Sequence, residues 1–66
     1  MSVTMRPVVG STAITAEGYD PQTRELVLQF SRANHPTIIE DVDPATYQQF
    51  LAARSKGRFF QERLKV

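Results

Sequence analysis

Cysteine is absent from this 66-residue chain, and histidine occurs once, as His35. Without thiols there is no disulfide framework and no thiolate metal site, and a single imidazole cannot build a histidine site. No apolar run approaches the roughly 18 residues of a spanning helix, and Met1–Pro7 lacks the apolar stretch of a signal peptide. The expectation is a soluble, cytoplasmic protein with no membrane partner. No nucleophile–base pair, metal constellation or cofactor loop is visible, so the chain is not expected to be an enzyme or to carry a cofactor. Internal repeats, low-complexity tracts and domain linkers are also missing, which leaves one small domain. A chain of this length buries only roughly 60% of its unfolded surface, and with no covalent staple the remaining supplement is weak self-association.

What is present is segregated charge. Arg54, Lys56, Arg58, Arg63 and Lys65 are five of the eight basic residues and face one acid, Glu62. Between Glu17 and Asp43 the balance reverses, with six acids against Arg24 and Arg32. A formal net charge of +1 thus conceals a polarised molecule, and such a distribution steers a charged partner where net charge does not.

The apolar pattern predicts an α+β domain, a three-stranded antiparallel meander followed by two short C-terminal helices packed on one face. Residues 1–10 show no period and read as a loosely held N-terminal arm that can join the sheet edge; residues 11–66 form the domain. Thr12–Tyr19 is the first expected strand, with Ile14 and Ala16 alternating against Thr15 and Glu17. Asp20-Pro21-Gln22-Thr23 is a turn, since Pro21 presets φ and Asp20 accepts a backbone hydrogen bond. In Arg24–Ser31, Leu26, Leu28 and Phe30 alternate with Glu25, Val27 and Gln29, the period of a strand buried on one face. Asn34 and Pro36 mark a second turn, and Thr37–Val42 is the third strand. There Ile38 and Ile39 are adjacent, so one must lie on each face and pattern alone does not set the register.

Asp43-Pro44 is a helix start, with Asp43 capping free backbone N–H groups and Pro44 at the first helical position. Tyr47, Phe50 and Leu51 follow at i, i+3 and i+4 on one face. Ser55-Lys56-Gly57 breaks the helix, Ser55 caps the next, and Phe60 with Leu64 makes a further i, i+4 pair. Adjacent Phe59 and Phe60 are about 100° apart on a helix, so Phe60 is read as the core residue and Phe59 as its margin.

Four segments carry a family resemblance: Gly18-Tyr19-Asp20, Leu26-Val27-Leu28-Gln29-Phe30, Val42-Asp43-Pro44 and, most specifically, Ala53-Arg54-Ser55-Lys56-Gly57-Arg58-Phe59-Phe60. From Ser11 to Lys65 the chain resembles the KTSC domain, a module named for its occurrence at the C-terminus of some lysyl-tRNA synthetases and also found alone in small bacterial and phage proteins. The resemblance implies RNA as a ligand and no established activity. The family usually carries Tyr-x-Tyr in the third strand; here the matching positions are Thr37 and Ile39, which cannot stack on bases but can serve a structural role.

The residues therefore point to a non-catalytic binding module. Its nucleic-acid-binding candidates are Arg54, Lys56, Arg58, Arg63 and Lys65 on the phosphate backbone, with Phe59 as a stacking surface. The bland counterpart is a solvated terminal helix whose cations favour its C-terminal dipole. The alternative function is a small protein-interaction or inhibitor domain, phage-encoded, that acts on a host protein or as a homodimer. Glu40, Asp41 and Asp43 are read as solvated acids around a capped helix rather than a cation site, and His35 as a loop residue.

Overall fold

Leu26 and Leu28 are completely buried, as the alternation of their strand requires, in a computed structural model that describes residues 3–64. The elements run β1 (Arg6–Pro7), β2 (Ile14–Asp20), β3 (Glu25–Phe30), β4 (Thr37–Ile39), α1 (Pro44–Ala52) and α2 (Lys56–Phe59), the last continued by a π-helical turn, Phe60–Leu64. The strands form one antiparallel sheet in the order β1-β2-β3-β4. The sheet thus has four strands where three were expected, because the N-terminal arm contributes β1 through Arg6↔Glu17 and Pro7↔Ala16. Pro7 cannot donate to a ladder, which suits an edge position.

One face of the sheet carries the helices. Ile14, Leu26, Leu28, Ile39, Val42, Tyr47, Phe50 and Leu64 form the core. Phe30, Leu51, Phe59 and Phe60 pack against it. Phe60 meets Phe30 edge-on with ring centroids 5.0 Å apart, and Phe59 meets Phe50 at 6.0 Å. The two adjacent phenylalanines thus share the role expected of Phe60 alone, each half-buried against a different partner. Caps stand where the sequence places them: Asp43 Oδ1 accepts from Thr46 N at 2.9 Å, and Ser55 Oγ accepts from Arg58 N at 3.3 Å. Hydrogen bonding from Thr46, side chain and backbone, holds the Asp43 carboxyl below its usual range.

β2, expected from Thr12 to Tyr19, begins at Ile14 and departs from its simple alternation. Between Ile14 and Ala16 the pairing with β3 slips by one residue, from Ile14↔Phe30 to Ala16↔Gln29. A bulge of this kind re-aims the residues after it. Glu17 and Tyr19 therefore join Ile14 on the helix side, and Glu17, expected to face solvent, is 4% exposed. β4 is shorter than the expected Thr37–Val42. It ends at Ile39, and Asp41 takes a left-handed φ of 65°. Ile39 enters the core and Ile38 lies on the opposite face, 58% exposed.

That opposite face is crossed by the N-terminal arm. A β-carbon added to Gly18 would lie 2.6 Å from Val3 Cγ1 and 2.8 Å from the Thr4 carbonyl oxygen. Val3 can rotate aside, but the Thr4 carbonyl moves only if the arm lifts. Gly18→Ala is expected to cost about 1–3 kcal/mol, as overpacking does, and to speed amide exchange at Val8, whose N–H bonds Thr15 O at 2.9 Å. Unaltered exchange at Val8 together with unaltered denaturant stability would remove the arm from the fold's energetics.

Candidate nucleic-acid interface

The basic residues that are neighbours in sequence are dispersed in space. Arg58 is exposed and pairs with Glu62 through Nε–Oε2 at 3.0 Å, an i, i+4 contact on the helix surface. Arg63 donates to Gln49 Oε1 at 3.2 Å and lies over the Phe59 ring, 5.6 Å from its centroid. It also lines a cleft with Glu40, Asp41 and Asp43, so its surroundings are acidic. Phe59 is half-buried against Phe50, which reduces its use as a stacking surface. Lys65 lies outside the described residues. Among the described residues, Arg54 and Lys56 are the two basic candidates brought into one cleft.

That cleft, about 200 Å³, lies between the loop Gly10–Ala13 and the corner joining α1 to α2. Arg54 is exposed, and Lys56 Nζ reaches the Ala53 carbonyl at 3.5 Å. Among the described residues neither has a carboxylate within ion-pair distance, and none of the residues lining the cleft is acidic. The far wall is fixed to β3. Ser31 N bonds Ala13 O at 2.9 Å, and Ser31 Oγ donates to Thr12 O at 3.0 Å. Gly10, with φ of 85°, turns the chain into this wall. Gly57 lets the helix approach it, since a β-carbon there would stand 3.1 Å from Ala13 Cβ. Gly57, expected as part of the break between the two helices, thus also sets the width of the cleft.

A second polar cluster escaped the sequence reading. Tyr47 donates its hydroxyl proton to Glu17 Oε1 at 2.6 Å and accepts from Arg6 at 2.7 Å, while Arg6 Nε stands 3.3 Å from Glu17 Oε2. Tyr47 also stacks on Tyr19 with centroids 4.3 Å apart, and Tyr19 donates to the Val42 carbonyl. Burial, and then the bond to Glu17, raises the pKa of the Tyr47 phenol. It therefore stays a donor at neutral pH. Every member is partnered, and no buried side-chain polar atom among the described residues is left without a bond. The cluster fastens the arm to the sheet and to α1. The signal in the sequence was too weak to find it, because it depends on the bulge and on a strand only two residues long.

The Thr37 and Ile39 positions face the helices, paired with Leu28 and Leu26. Side chains there pack inward, so their exchange for aromatic residues alters core volume rather than an open platform. His35 and Pro36 are exposed in the loop before β4. Among the described residues no group of three His, Cys, Asp or Glu side chains could hold a metal ion, and no helix is long and apolar enough to cross a membrane.

Known proteins share this architecture. Residues 10–66 match the KTSC domain. A protein of Tsukamurella paurometabola is 42% identical over 55 residues, covering 83% of this chain and 79% of that protein. The crystal structure of a KTSC domain protein from Yersinia pestis aligns with a TM-score of 0.86 and 38% sequence identity, over 97% of this chain and 87% of the other. The chain belongs to the KTSC domain family.

Proposed function

We propose that this KTSC domain is a non-catalytic binding module that engages single-stranded nucleic acid, RNA being the class the family resemblance implies, at the α1–α2 corner. The observation that carries the reading is the cleft of Arg54 and Lys56, in which two cations share a polar wall with no acid beside them. Exposed Arg58 extends the positive surface, although Glu62 offsets its charge. The aromatic rings are largely committed to the core, so contact with phosphates outweighs stacking on bases. Such binding is tolerant of sequence and sensitive to salt.

Arg54→Glu with Lys56→Glu is expected to abolish binding to single-stranded RNA at low salt, whereas Arg63→Glu leaves most of it, because Arg63 points to the acidic cleft. Fluorescence anisotropy checks both. Equal affinity of the parent and the double variant would sink the assignment. A protein-interaction role is favoured by a different observation, the apolar groove of about 340 Å³ that Val3, Met5, Ala16, Val27 and Pro36 form on the helix-free sheet face, with Ile38 exposed on the same side. Partners that survive nuclease treatment in a pull-down would support that role over nucleic acid.

A further inference from the structure

The α1–α2 cleft is suited to the end of a strand more than to its middle. Resting on the nucleic-acid reading above, we propose that it is a site for a terminal phosphomonoester. Three features lead there. Charge comes first: a monoester carries about −1.5 to −2 at neutral pH, against the single charge of an internal diester, and Arg54 with Lys56 supplies two cations that no described carboxylate neutralises. The second is donor chemistry. Ser11 Oγ accepts from Ile14 N at 3.2 Å, and Ser55 Oγ accepts from Arg58 N at 3.3 Å. A hydroxyl that has accepted a backbone N–H keeps its own proton to give, so both serines can donate into the cleft. A phosphate with three acceptor oxygens complements two hydroxyls and two cations; a base edge, with its mixed donors and acceptors, does not.

Shape is the third feature. The cleft, about 200 Å³, is smaller and more enclosed than the cleft of about 560 Å³ at the β2–β3 turn. The latter contains Arg6, already bound to Glu17 and Tyr47, and the acidic Asp20, so it lacks an uncommitted cation. The small volume of the α1–α2 cleft suits a phosphate group rather than a length of strand, and its loop wall is anchored through Ser31.

The test uses the full chain and four probes: a single-stranded RNA carrying a terminal phosphate, the same strand ending in a hydroxyl, a nucleoside monophosphate, and inorganic phosphate. About tenfold tighter binding of the phosphorylated strand is expected, the size of one charge-assisted hydrogen-bond set. Arg54→Gln with Lys56→Gln should erase that preference. Amide shifts of the parent protein on adding inorganic phosphate should centre on Gly10–Ala13 and Arg54–Gly57, which locates the site even if the double variant folds poorly. Equal affinity for the two strand ends, with salt-sensitive binding kept, would overturn the terminal-phosphate site and leave the nucleic-acid reading standing. No binding of any probe would overturn both. Shifts centred elsewhere, or a preference that survives in a folded double variant, would overturn the location. Monophosphate binding as tight as that of the phosphorylated strand would identify a nucleotide, not a strand end, as the source of the phosphate.

Discussion

Phe50→Ala is expected to lower the free energy of unfolding by about 3–5 kcal/mol. Phe50 is fully buried on the inner face of α1, beside Tyr47 and against the edge of Phe59. Its removal takes away a whole ring where a short chain has few others, and the neighbouring sheet cannot close the space because Leu26 and Leu28 are held in register by β2 and β4. Native domains have about 0.05–0.15 kcal/mol per residue in hand, so this loss takes from about a third to all of the stability of a domain of this size. Chemical denaturation should show a midpoint at much lower denaturant than that of the parent. A midpoint close to that of the parent would contradict the placement of Phe50 at the centre of the core.

Tyr47→Phe is expected to cost about 1.5–3 kcal/mol, the range for a hydrogen bond to a charged group, although it removes a single oxygen. The buried Glu17 carboxylate would keep Arg6 and lose its shortest contact. The same network gives a pH signature. The folded state holds the Tyr47 proton above the ordinary tyrosine value of 10.0, so this contribution is complete below that pH and is lost as pH rises through the folded value. The stability difference between parent and Tyr47→Phe should therefore shrink in alkali. A difference that stays constant to high pH, or a variant as stable as the parent at neutral pH, would show that the phenol does not hold Glu17.

Local rules carried the sequence reading where each element depends on its own residues. Leu26 and Leu28 announce β3 by period, Asp43-Pro44 announces α1 by capping, and Ser55 announces α2. The parts that escaped depend on partners far along the chain. A single extra residue near Thr15 changes the face of everything after it in β2, and nothing in that segment's composition marks the slip. Glu17 is tolerated inside because Arg6 and Tyr47, remote in sequence, converge on it; a carboxylate among alternating residues otherwise reads as solvent-facing. The arm was legible only as an arm, since two paired residues, one of them a proline, show no period.

The candidate interface divided in the same way. Residues 54–58 were legible as a basic break between helices, and the structure keeps Arg54 and Lys56 together there. Arg63 was counted with them on proximity in sequence alone. The turn Phe60–Leu64 carries it to Gln49, on the side of α1 that faces the acidic segment Glu40–Asp43. The glycine loop opposite Arg54 could not be foreseen, because Thr12 and Ala13 read as the start of the first strand, whereas β2 begins at Ile14 and the fold brings Ala13 against Gly57.

The affinity of the intact chain for single-stranded RNA, followed by anisotropy as salt is raised from low to physiological concentration, tests the central claim most directly. Two or three phosphate contacts, by Arg54 and Lys56 with Arg58 added, predict a linear fall of log affinity with log salt and a slope of about −1.5 to −2, at roughly −0.7 per contact for single strands. A complete lack of binding at the lowest salt, or an affinity that salt leaves unchanged, would contradict it.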